Sequence, residues 1–523
     1  MKKQIALLLL AGSVAAPIVL SAQYQPHSRD KQIHDADTLA WWHTTEDLSS
    51  DKMEGRDTGS AAYQRAANYV ANRFQQAGLK PAGDDGTYFQ TVPMHEVSVD
   101  SAGTSFILRR DAGGEVPIEF LQQITIAPAA NLPAEIEGPL IFRGYCGKDV
   151  MNQIEGKIVI CFGTQRAGLP TGAERIAAAR AGHAVGLINV DDPDFSIEPP
   201  RWPSAYARSV ALGAKPEASA GEPLLLMRLS ATVFPALIEG SGKDAAMVLS
   251  TGGNKGPLRS FDIPAKMRVR LHLSEKSYSS PNILAMLPGS NPKPAREYVV
   301  LAAHLDGYGY GTPVHGDNLY NGALDDAAYA ALLIQFADDL HRDHRTLQRS
   351  VLFCAFTGEE KGLLGANYFV DHPTVPIAQM AADINLDQLR PLFPLHLLTA
   401  LAIDDTTLGA TARQVGATLG IAMRADLEPE RGLLRRADHY PFLRVGVPAI
   451  GFIFGYEPGT EAEKRYREWY QVRYHRPQDD LTQPMDFDAA AKFNSFFYKL
   501  AETIANDTVR PSFTPNSKLA KKP

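Results

Sequence analysis

The chain has 523 residues, of which 45% are hydrophobic and 21% are charged, and its formal net charge is −7. This length is too great for one ordinary hydrophobic core, so we expect two or three domains. The acidic balance gives no support to a nucleic-acid partner or to binding at an anionic membrane surface. Three cysteines make no disulfide framework. Whether Cys146 and Cys161 pair in an oxidising compartment is left open, and Cys354, inside an apolar run, is expected to be a buried thiol.

The first 22 residues have the pattern of a secretory signal peptide: Lys2 and Lys3, then an apolar stretch, then small residues up to Ala22. No other apolar run approaches the ~20 residues needed to cross a bilayer. We therefore predict an exported bacterial protein, periplasmic or secreted, with no stable membrane anchor after cleavage; an uncleaved signal anchor is the alternative. The polar, proline-bearing tail at 509–523 predicts disorder.

The rest of the chain divides by its texture into a β-rich middle and an alternating C-terminal part. Residues 130–255 contain strand-like runs such as GKIVICFG and a helical run, AERIAAARAG. This region carries no convergent group of His, Asp and Glu, so we assign it no chemistry. Between 256 and 508, strand-like runs alternate with amphipathic helices, which predicts an α/β fold with a mostly parallel central sheet flanked by helices. Residues 23–129 are taken as the N-terminal part of the same domain.

Five segments of the alternating region leave acids or imidazoles where an apolar or small-residue run ends. They carry His304 and Asp306, Asp325 and Asp326, Glu359 and Glu360, Asp387, and His475. In open α/β sheets, ligands bind at the carboxyl ends of the strands. Each residue alone has an ordinary structural explanation, such as a core histidine, a helix cap or a solvated turn. Together they offer two imidazoles and several carboxylates, a mixture that suits Zn²⁺, and a shared carboxylate would allow two ions.

The segments AHLDG, YNGALDDA, TGEEKGLLGA, INLDQ and YHRPQDD, in this order, resemble the signature of the M28 family of zinc peptidases. The likeness is greatest to secreted bacterial aminopeptidases that carry a protease-associated (PA) domain insert, which here would be residues 130–255. LSSDKMEGRDTGS, SPNILAMLPGS and RRADHYPFLRVGVPAI resemble the family outside the site. The similarity therefore covers nearly all of the chain after residue 22.

The resemblance implies a site with two zinc ions, although N/O ligands do not separate zinc from Co²⁺ or Mn²⁺ by affinity alone. One ion would be held by His304, Asp325 and Asp387. The other would be held by Asp325, Glu360 and His475, so that Asp325 bridges the two.

The resemblance also implies roles for neighbouring residues. Glu359 would be the general base that takes a proton from the zinc-activated water. Asp306 would fix the orientation of His304 through the second ring nitrogen, and Asp326 would shape the local backbone. The Tyr474 hydroxyl would stabilise the oxyanion.

Two departures from the family pattern bear on substrate preference. Ala328 and Tyr329 stand where the family has a small Ser-Gly pair, so we expect Tyr329 to narrow the pocket. The family's RSDH-type segment reads RADH here, with Ala437 in place of serine. Arg436 and His439 of this segment are candidates to line the substrate site, although a purely structural role is an equal alternative for both.

The resulting hypothesis is an exported di-zinc aminopeptidase that removes N-terminal residues from peptides. A carboxypeptidase is an alternative, because Arg435 and Arg436 could bind a terminal carboxylate. A single-zinc cyclase resembling glutaminyl cyclases and a non-enzymatic, receptor-like binding protein are further alternatives, but every expected ligand and the base are present. The sequence does not fix the preferred N-terminal residue, the peptide length, the role of the insert or the oligomeric state.

Overall fold

The computed structural model describes residues 24–163, 168–193, 207–213, 222–293, 296–387 and 389–520. The predicted signal peptide, 1–22, lies outside the described residues. The strands in this part of the chain are, in chain order, β1 (Lys80–Pro81), β2 (Phe89–Val99), β3 (Ser105–Arg110), β4 (Glu115–Ile118), β5 (Ile124–Ala127), β6 (Glu135–Phe142), β7 (Ile158–Phe162), β8 (Gly186–Val190), β9 (Arg208–Leu212), β10 (Leu225–Leu229), β11 (Phe261–Arg270), β12 (Leu273–Leu287), β13 (Tyr298–His304), β14 (Gly309–Val314), β15 (Asp317–Tyr320), β16 (Ser350–Phe356), β17 (Met380–Leu386), β18 (Leu397–Leu401), β19 (Ala422–Arg424) and β20 (Ala449–Phe454).

The α-helices in the described ranges connect and cover these strands. They are α1 (Ala36–Ser49), α2 (Ala61–Gln76), α3 (Gly172–Ala181), α4 (Phe234–Ile238), α5 (Ala245–Gly253), α6 (Ala328–Arg342), α7 (Leu364–Asp371), α8 (Leu408–Thr418), α9 (His439–Val445), α10 (Glu461–Val472) and α11 (Phe487–Asn506). Among these helices, none combines the length and the apolar character that a bilayer crossing requires.

The first large sheet is mixed, with parallel strands at its centre. Its order is β19-β18-β20-β17-β13-β16-β12-β2-β9, and β1 pairs beside β12. Strands β16, β13, β17 and β20 run parallel, whereas β12 and β2 add to one side in the antiparallel sense. The predicted α/β fold is therefore confirmed, with parallel pairing concentrated in the centre of the sheet.

The central strands are apolar along their whole length because helices cover both faces of the sheet. Side chains alternate between faces along a strand. Val299, Leu301 and Ala303 pack with α1, α2, α6 and α11 on one face, in a core that includes Phe336 and Phe497. On the other face, Val300 and Ala302 pack with α7 and α9. The sheet is thus a rigid platform whose open edges are its strand ends.

The second large sheet forms a separate layer with its own apolar core. Its order is β4-β3-β11-β6-β7-β8-β10-β5, with β6, β7, β8 and β10 parallel. The described strands of this sheet begin at Ser105 and end at Arg270, so it extends beyond the predicted insert of 130–255 at both ends. The whole unit is entered after β2 and left before β12, which pair with each other in the first sheet. Its assignment as a PA-type domain stays a prediction.

Two local expectations have clear outcomes. Cys146 and Cys161 form a disulfide in the second sheet, and Cys354 is a buried free cysteine on β16. The disorder of 509–523 stays a prediction. In the described part of this tail, Phe513 pairs with Thr406, and Phe513 and Leu519 pack against the α7 and α9 face.

Candidate metal centre

The predicted ligands meet at the carboxyl edge of the central parallel strands. His304 is the last residue of β13, Asp387 directly follows β17, and Glu359 and Glu360 follow β16 after a short turn. His304 lies opposite Phe356 in the β13–β16 register, and Ala303 lies opposite Leu386 in the β13–β17 register. Parallel strands end at the same edge, so this register brings the three segments side by side.

Two glycines allow the chain to turn at this edge. Gly358, which follows β16, has φ +66°, and Gly322, which precedes Asp325, has φ +61°. A Cβ at Gly322 would lie 2.4 Å from the Asp325 carbonyl oxygen. Both positions therefore need glycine for its left-handed backbone, and at Gly322 also for space. The peptide bond between Asp325 and Asp326 is cis.

Among the described residues, three groups of three metal-type ligands lie at this edge: two share the Asp325 carboxylate, and the third is His304, Glu359 and Glu360. His304, Asp325 and Asp387 have ligand atoms within 4.8 Å of one another, and so do Asp325, Glu360 and His475. The Asp325 Oδ1 atom is 3.4 Å from His304 Nε2, and its Oδ2 atom is 3.6 Å from His475 Nε2. The His475 Nε2 atom is also 3.5 Å from Glu360 Oε2. The two oxygens of Asp325 thus face two different imidazoles, as a bridging ligand requires.

The chemistry of the buried atoms fits cations at both places. His304 Nε2, Asp325 Oδ2 and Glu360 Oε1 are buried and have no hydrogen-bond partner within the described ranges. Leaving such groups unsatisfied costs about 1–3 kcal/mol each, and more for charged groups. A bound metal ion would satisfy them, and Asp, Glu and His are ligands that Zn²⁺ accepts. The residues present therefore fit two zinc ions.

Glu359 stands beside this set with its own support. Its backbone N–H donates to Asp306 Oδ1 at 3.1 Å, and Asp306 Oδ2 accepts from the Thr58 hydroxyl at 2.8 Å. The sequence predicted that Asp306 orients His304 through the second ring nitrogen. His304 Nδ1 lies 3.0 Å from the Asp306 backbone carbonyl oxygen, while the carboxylate is 3.8 Å away. The carbonyl thus orients the imidazole, and the carboxylate braces the turn that carries Glu359.

Burial and like charges shift the pKa values of the acids in different directions. Burial, together with Asp387, Glu360 and Asp438, raises the pKa of Glu359 well above its usual value. Burial acts the same way on Asp325, but Arg390, His304 and His475 outweigh it and hold the pKa of Asp325 below its usual range. The pKa of Asp325 is thus held low, while the pKa values of the neighbouring Glu359 and Glu360 are raised.

Tyr308 is a site residue that the sequence did not reveal. Its hydroxyl donates to Glu360 Oε2 at 2.5 Å and lies 3.3 Å from the His475 ring nitrogens. The Lys361 ammonium sits 5.1 Å above its ring. Tyr308 follows a short loop after His304 and is 52 positions from Glu360 in the chain, so no local spacing links them. The contact between the Tyr308 phenol and the Glu360 carboxylate becomes visible only when the course of the loop after His304 is known.

Arg390 is a second residue that the sequence did not reveal. Its side chain is fully buried, and one guanidinium nitrogen lies 3.5 Å from Asp325 Oδ2. Another donates to the Leu324 carbonyl at 2.9 Å, and the guanidinium packs 4.4 Å from the Trp469 ring centre. Arg390 therefore fixes Asp325 from behind, on both its backbone and its carboxylate.

The predicted substrate residues divide into two groups. Tyr329 does not narrow an open pocket: it is buried in the core on α6, and its hydroxyl donates to the Leu389 carbonyl. His439 is also fully buried, and burial lowers its pKa to about 4, so it is a neutral imidazole behind the sheet edge. Because both side chains are buried, Tyr329 and His439 contribute to the packing of the core and do not line an open pocket. Only Arg436 remains exposed.

Arg436 and Tyr474 stand at the rim of the candidate centre. The Arg436 guanidinium is 3.3 Å from the Tyr474 hydroxyl, and the Tyr474 ring stacks on His475 with centroids 3.6 Å apart. Arg436 also lines a cleft of about 1060 Å³ between the two sheets, whose other wall includes Thr171 at the start of α3. The rim thus joins the candidate centre to an open groove.

Comparison with known proteins supplies the family. Residues 282–501 match the model of peptidase family M28. A glutamate carboxypeptidase 2 homolog of Caenorhabditis elegans is 23% identical over 48% of this chain and 33% of its own length. A probable zinc metalloprotease of Pyrenophora tritici-repentis is 27% identical over 43% of this chain and 58% of its own length. The chain thus spans only between a third and three fifths of these two curated relatives.

A solved structure shows the same fold over nearly the whole chain. It is an aminopeptidase from Aneurinibacillus sp. strain AM-1, with a TM-score of 0.57 and 16% identity, and the match covers 93% of this chain and 96% of that one. At this identity the likeness concerns the fold alone. The match of residues 282–501 to the model of peptidase family M28 confirms the resemblance drawn from the sequence segments.

Proposed function

We propose that the protein is an exported di-zinc aminopeptidase that hydrolyses the first peptide bond of peptides. The observation that carries the proposal is the pair of three-residue ligand groups that share Asp325 at the sheet edge. The family match supports zinc-dependent peptide hydrolysis. The names of similar proteins, among them a zinc metalloprotease and an aminopeptidase, support it as well. When bound, zinc would lower the pKa of a water molecule and polarise the scissile carbonyl.

The chain's own residues then have defined tasks. Asp325 holds both positions together because its two oxygens face different imidazoles, and Arg390 keeps it ionised and in place. Glu359 adjoins the ligand Glu360 but is anchored separately through its backbone to Asp306, so its carboxylate is available as a base. Its raised pKa suits a group that accepts a proton from water and returns it to the leaving amine.

The charge of the site favours a substrate with a free α-amino group. Buried acids around the ligands include Asp306, Asp326 and Asp438. The buried cations beside the site belong to Arg56, Arg390, Arg476 and Lys361. Arg56 is taken up by backbone carbonyls, including those of Leu305 and Gly322. The excess of negative charge attracts an ammonium group, which an N-terminus supplies.

One observation favours a carboxypeptidase as a second candidate. Arg436 is exposed on the rim beside Tyr474, where a guanidinium could bind a terminal carboxylate. The carboxypeptidase name of the nematode relative points the same way. In the aminopeptidase, by contrast, Arg436 and Tyr474 would face the developing oxyanion.

Export is part of the proposal and is supported by the N-terminal sequence and by the Cys146–Cys161 disulfide. Such bonds persist in oxidising compartments such as the periplasm. We further propose that the substrates are peptides and that no nucleic acid is bound.

Metal content and cleavage of a substrate panel test the proposal together. The purified protein is expected to hold two zinc ions at the sheet edge and to cleave aminoacyl-anilides but not N-blocked peptides. Asp325→Ala should lose metal from the sheet edge and, with it, activity; unchanged metal content in this variant would exclude the shared bridge. Cleavage of N-blocked peptides with a free carboxylate, lost in Arg436→Ala, would establish the carboxypeptidase instead.

A further inference from the structure

A second group of metal-type side chains lies where the N-terminal arm, residues 24–33, crosses α1. His27 comes from the arm, and His43 and Glu46 come from α1. The three ligand atoms lie within 4.8 Å of one another. His43 and Glu46 are three residues apart and therefore share one helix face, toward which the arm turns His27. This group belongs to neither ligand set at the sheet edge.

The acid of this group is buried and already receives several donors. The Glu46 side chain is 5% exposed, and His27 Nδ1 lies 3.3 Å from its Oε2 atom. Its Oε1 atom accepts from the Tyr24 hydroxyl at 2.5 Å and from the His27 backbone N–H at 3.1 Å. The two imidazole rings approach to 4.1 Å between centroids. The carboxylate is thus fixed in position while two imidazoles stand next to it.

Asp30 adds the partner that metal-bound histidines usually have. Its Oδ1 atom lies 2.9 Å from His43 Nε2, so it orients the ring and leaves His43 Nδ1 to coordinate a metal ion. A carboxylate on the second nitrogen raises the basicity of a coordinating imidazole. Two histidines and one glutamate form a donor set that zinc uses in proteins, with water filling the fourth position.

We propose that a further zinc ion binds His27, His43 and Glu46, oriented by Asp30, and fastens the N-terminal arm to α1. The proposal does not depend on the function assigned to the sheet edge. An ordinary pair of histidine and carboxylate at a surface contributes little to stability. The ion would add a cross-link between the arm and the helix at the His27–Glu46 pair, while the His43–Asp30 pair stays in place.

A chain of hydrogen bonds connects the N-terminal arm to the loop that carries Asp325. Arg29 donates to the backbone carbonyls of Leu481 and Gln483, the latter at 2.8 Å. The Gln483 amide donates to Asp479 Oδ1 at 2.7 Å, and the same oxygen accepts from the Leu324 backbone N–H at 3.0 Å. Leu324 precedes the shared ligand Asp325. Fixing the arm therefore supports the loop behind the sheet-edge site.

Zinc stoichiometry tests this site directly. The full chain without its leader is stripped with a chelator, reloaded with Zn²⁺ alone and passed through a desalting column before metal analysis. His27→Ala is the main variant because this side chain is 58% exposed and its loss should disturb folding little. His34→Ala, an exposed histidine of the same arm region, is the matched control. His27→Ala should hold one zinc per chain fewer than the wild type and the control.

The same difference should appear when the sheet-edge site is disabled. In an Asp325→Ala background, the arm should still hold one zinc that His27→Ala removes, which separates failure of this proposal from failure of the proposed function. Asp30→Asn should weaken binding of this ion by about 10–100-fold. Zinc should also raise the melting temperature of Asp325→Ala, and His27→Ala should abolish that rise. Equal zinc content in His27→Ala and wild type, or uptake only at millimolar zinc in both, would mean an adventitious ion only and would overturn the proposal.

Discussion

The two large sheets place acids at the same topological position and use them in opposite ways. At the carboxyl edge of the second sheet, Asp191 follows β8 and pairs with Arg228, with 2.6 Å between its Oδ1 atom and the guanidinium Nε. Nearby, the buried Arg175 donates to the Gly163 carbonyl and, at 3.0 Å, to Asn189. Asp191 Oδ1 and the Gly163 carbonyl oxygen thus each meet a guanidinium.

At the carboxyl edge of the first sheet, the carboxylates and imidazoles face one another instead. His304, Asp325 and Glu360 each keep a buried atom without a hydrogen-bond partner in the described part of the chain. In the second sheet, no comparable ligand group occurs among the described residues. Acids at strand ends therefore do not define a metal site; convergence of uncompensated oxygens and imidazole nitrogens does.

The largest effect on activity is expected from replacing Glu359, the proposed base at the carboxyl edge of the first sheet. Glu359→Gln should lower turnover by roughly 10²–10⁴-fold, because the amide cannot accept the proton from water. Metal content should stay near that of the wild type, since Glu359 is in neither of the two groups that share Asp325, although its carboxylate also lies within 4.8 Å of His304 and Glu360 ligand atoms. Steady-state kinetics with metal analysis of the same sample measures both. A variant with full turnover would exclude Glu359 as the base.

A smaller effect is expected from the phenol that supports the ligands. Tyr308→Phe should weaken zinc affinity by about 10–100-fold, because Glu360 and His475 lose a hydrogen-bonding partner. Competition with a chromogenic chelator gives the affinity. Tyr320→Phe is the matched control, since its hydroxyl lines the same small cavity but donates to the Thr312 carbonyl. Equal affinities in the two variants would show that Tyr308 does not hold the ligand.

The second edge should respond in stability and not in catalysis. Arg228→Ala leaves Asp191 without its guanidinium and should lower the free energy of unfolding by about 1–3 kcal/mol. Chemical denaturation provides that value, and kcat/KM for a good anilide substrate should be unchanged. A large loss of kcat/KM in this variant would mean that the two edges are functionally coupled, contrary to the comparison.

The smallest effect is expected for the pH dependence of stability that comes from Asp37 and Asp339. These two neighbouring acids lie away from both sheet edges. Burial and the neighbouring Asp339 raise the pKa of Asp37 to about 7. Above pH ~4 the unfolded chain has released this proton while the folded chain keeps it, so folding becomes less favourable as the pH rises toward 7.

Asp37→Asn removes that dependence. Its melting temperature relative to the wild type should increase between pH 5 and pH 8. Asp47→Asn, on an exposed position of the same helix, should show no such trend. Parallel melting curves for the wild type and Asp37→Asn across this range would contradict the shifted pKa.

The sequence allowed the fold class and the positions of the predicted ligands to be anticipated because both depend on local pattern. An apolar run followed by an acid or histidine marks a strand end, and parallel strands end at one edge, so His304, Glu360 and Asp387 could be placed together. Their roles as zinc ligands stay predictions. The signals failed where long-range paths decide: Tyr308 reaches Glu360 through a loop, and the fully buried Arg390 contradicts the usual exposure of arginine.

The bounds of the second sheet were missed for a related reason. Its first strands, from Ser105, and its last, to Arg270, have the same β-like texture as β2 and β12 of the first sheet. Only the pairing tells them apart, and pairing is not visible in one chain's pattern. Asp306 was predicted to orient His304, and its backbone carbonyl oxygen is the atom in contact; spacing alone does not show which oxygen of a residue makes such a contact.

Strand β9, which belongs to the segment between β2 and β12, covers the backbone of β2 at the border of the first sheet. It lies between β8 and β10 in the chain, yet it pairs with β2 at the border of the first sheet, where Arg208 binds Asp57 through two hydrogen bonds of 2.8 and 2.9 Å. Without it, the long β2 would offer a row of open backbone groups to other chains. A shortened enzyme that joins β2 directly to β12 would keep the sheet-edge ligands but expose that border. We expect such a deletion to aggregate unless β2 is given charges or a proline.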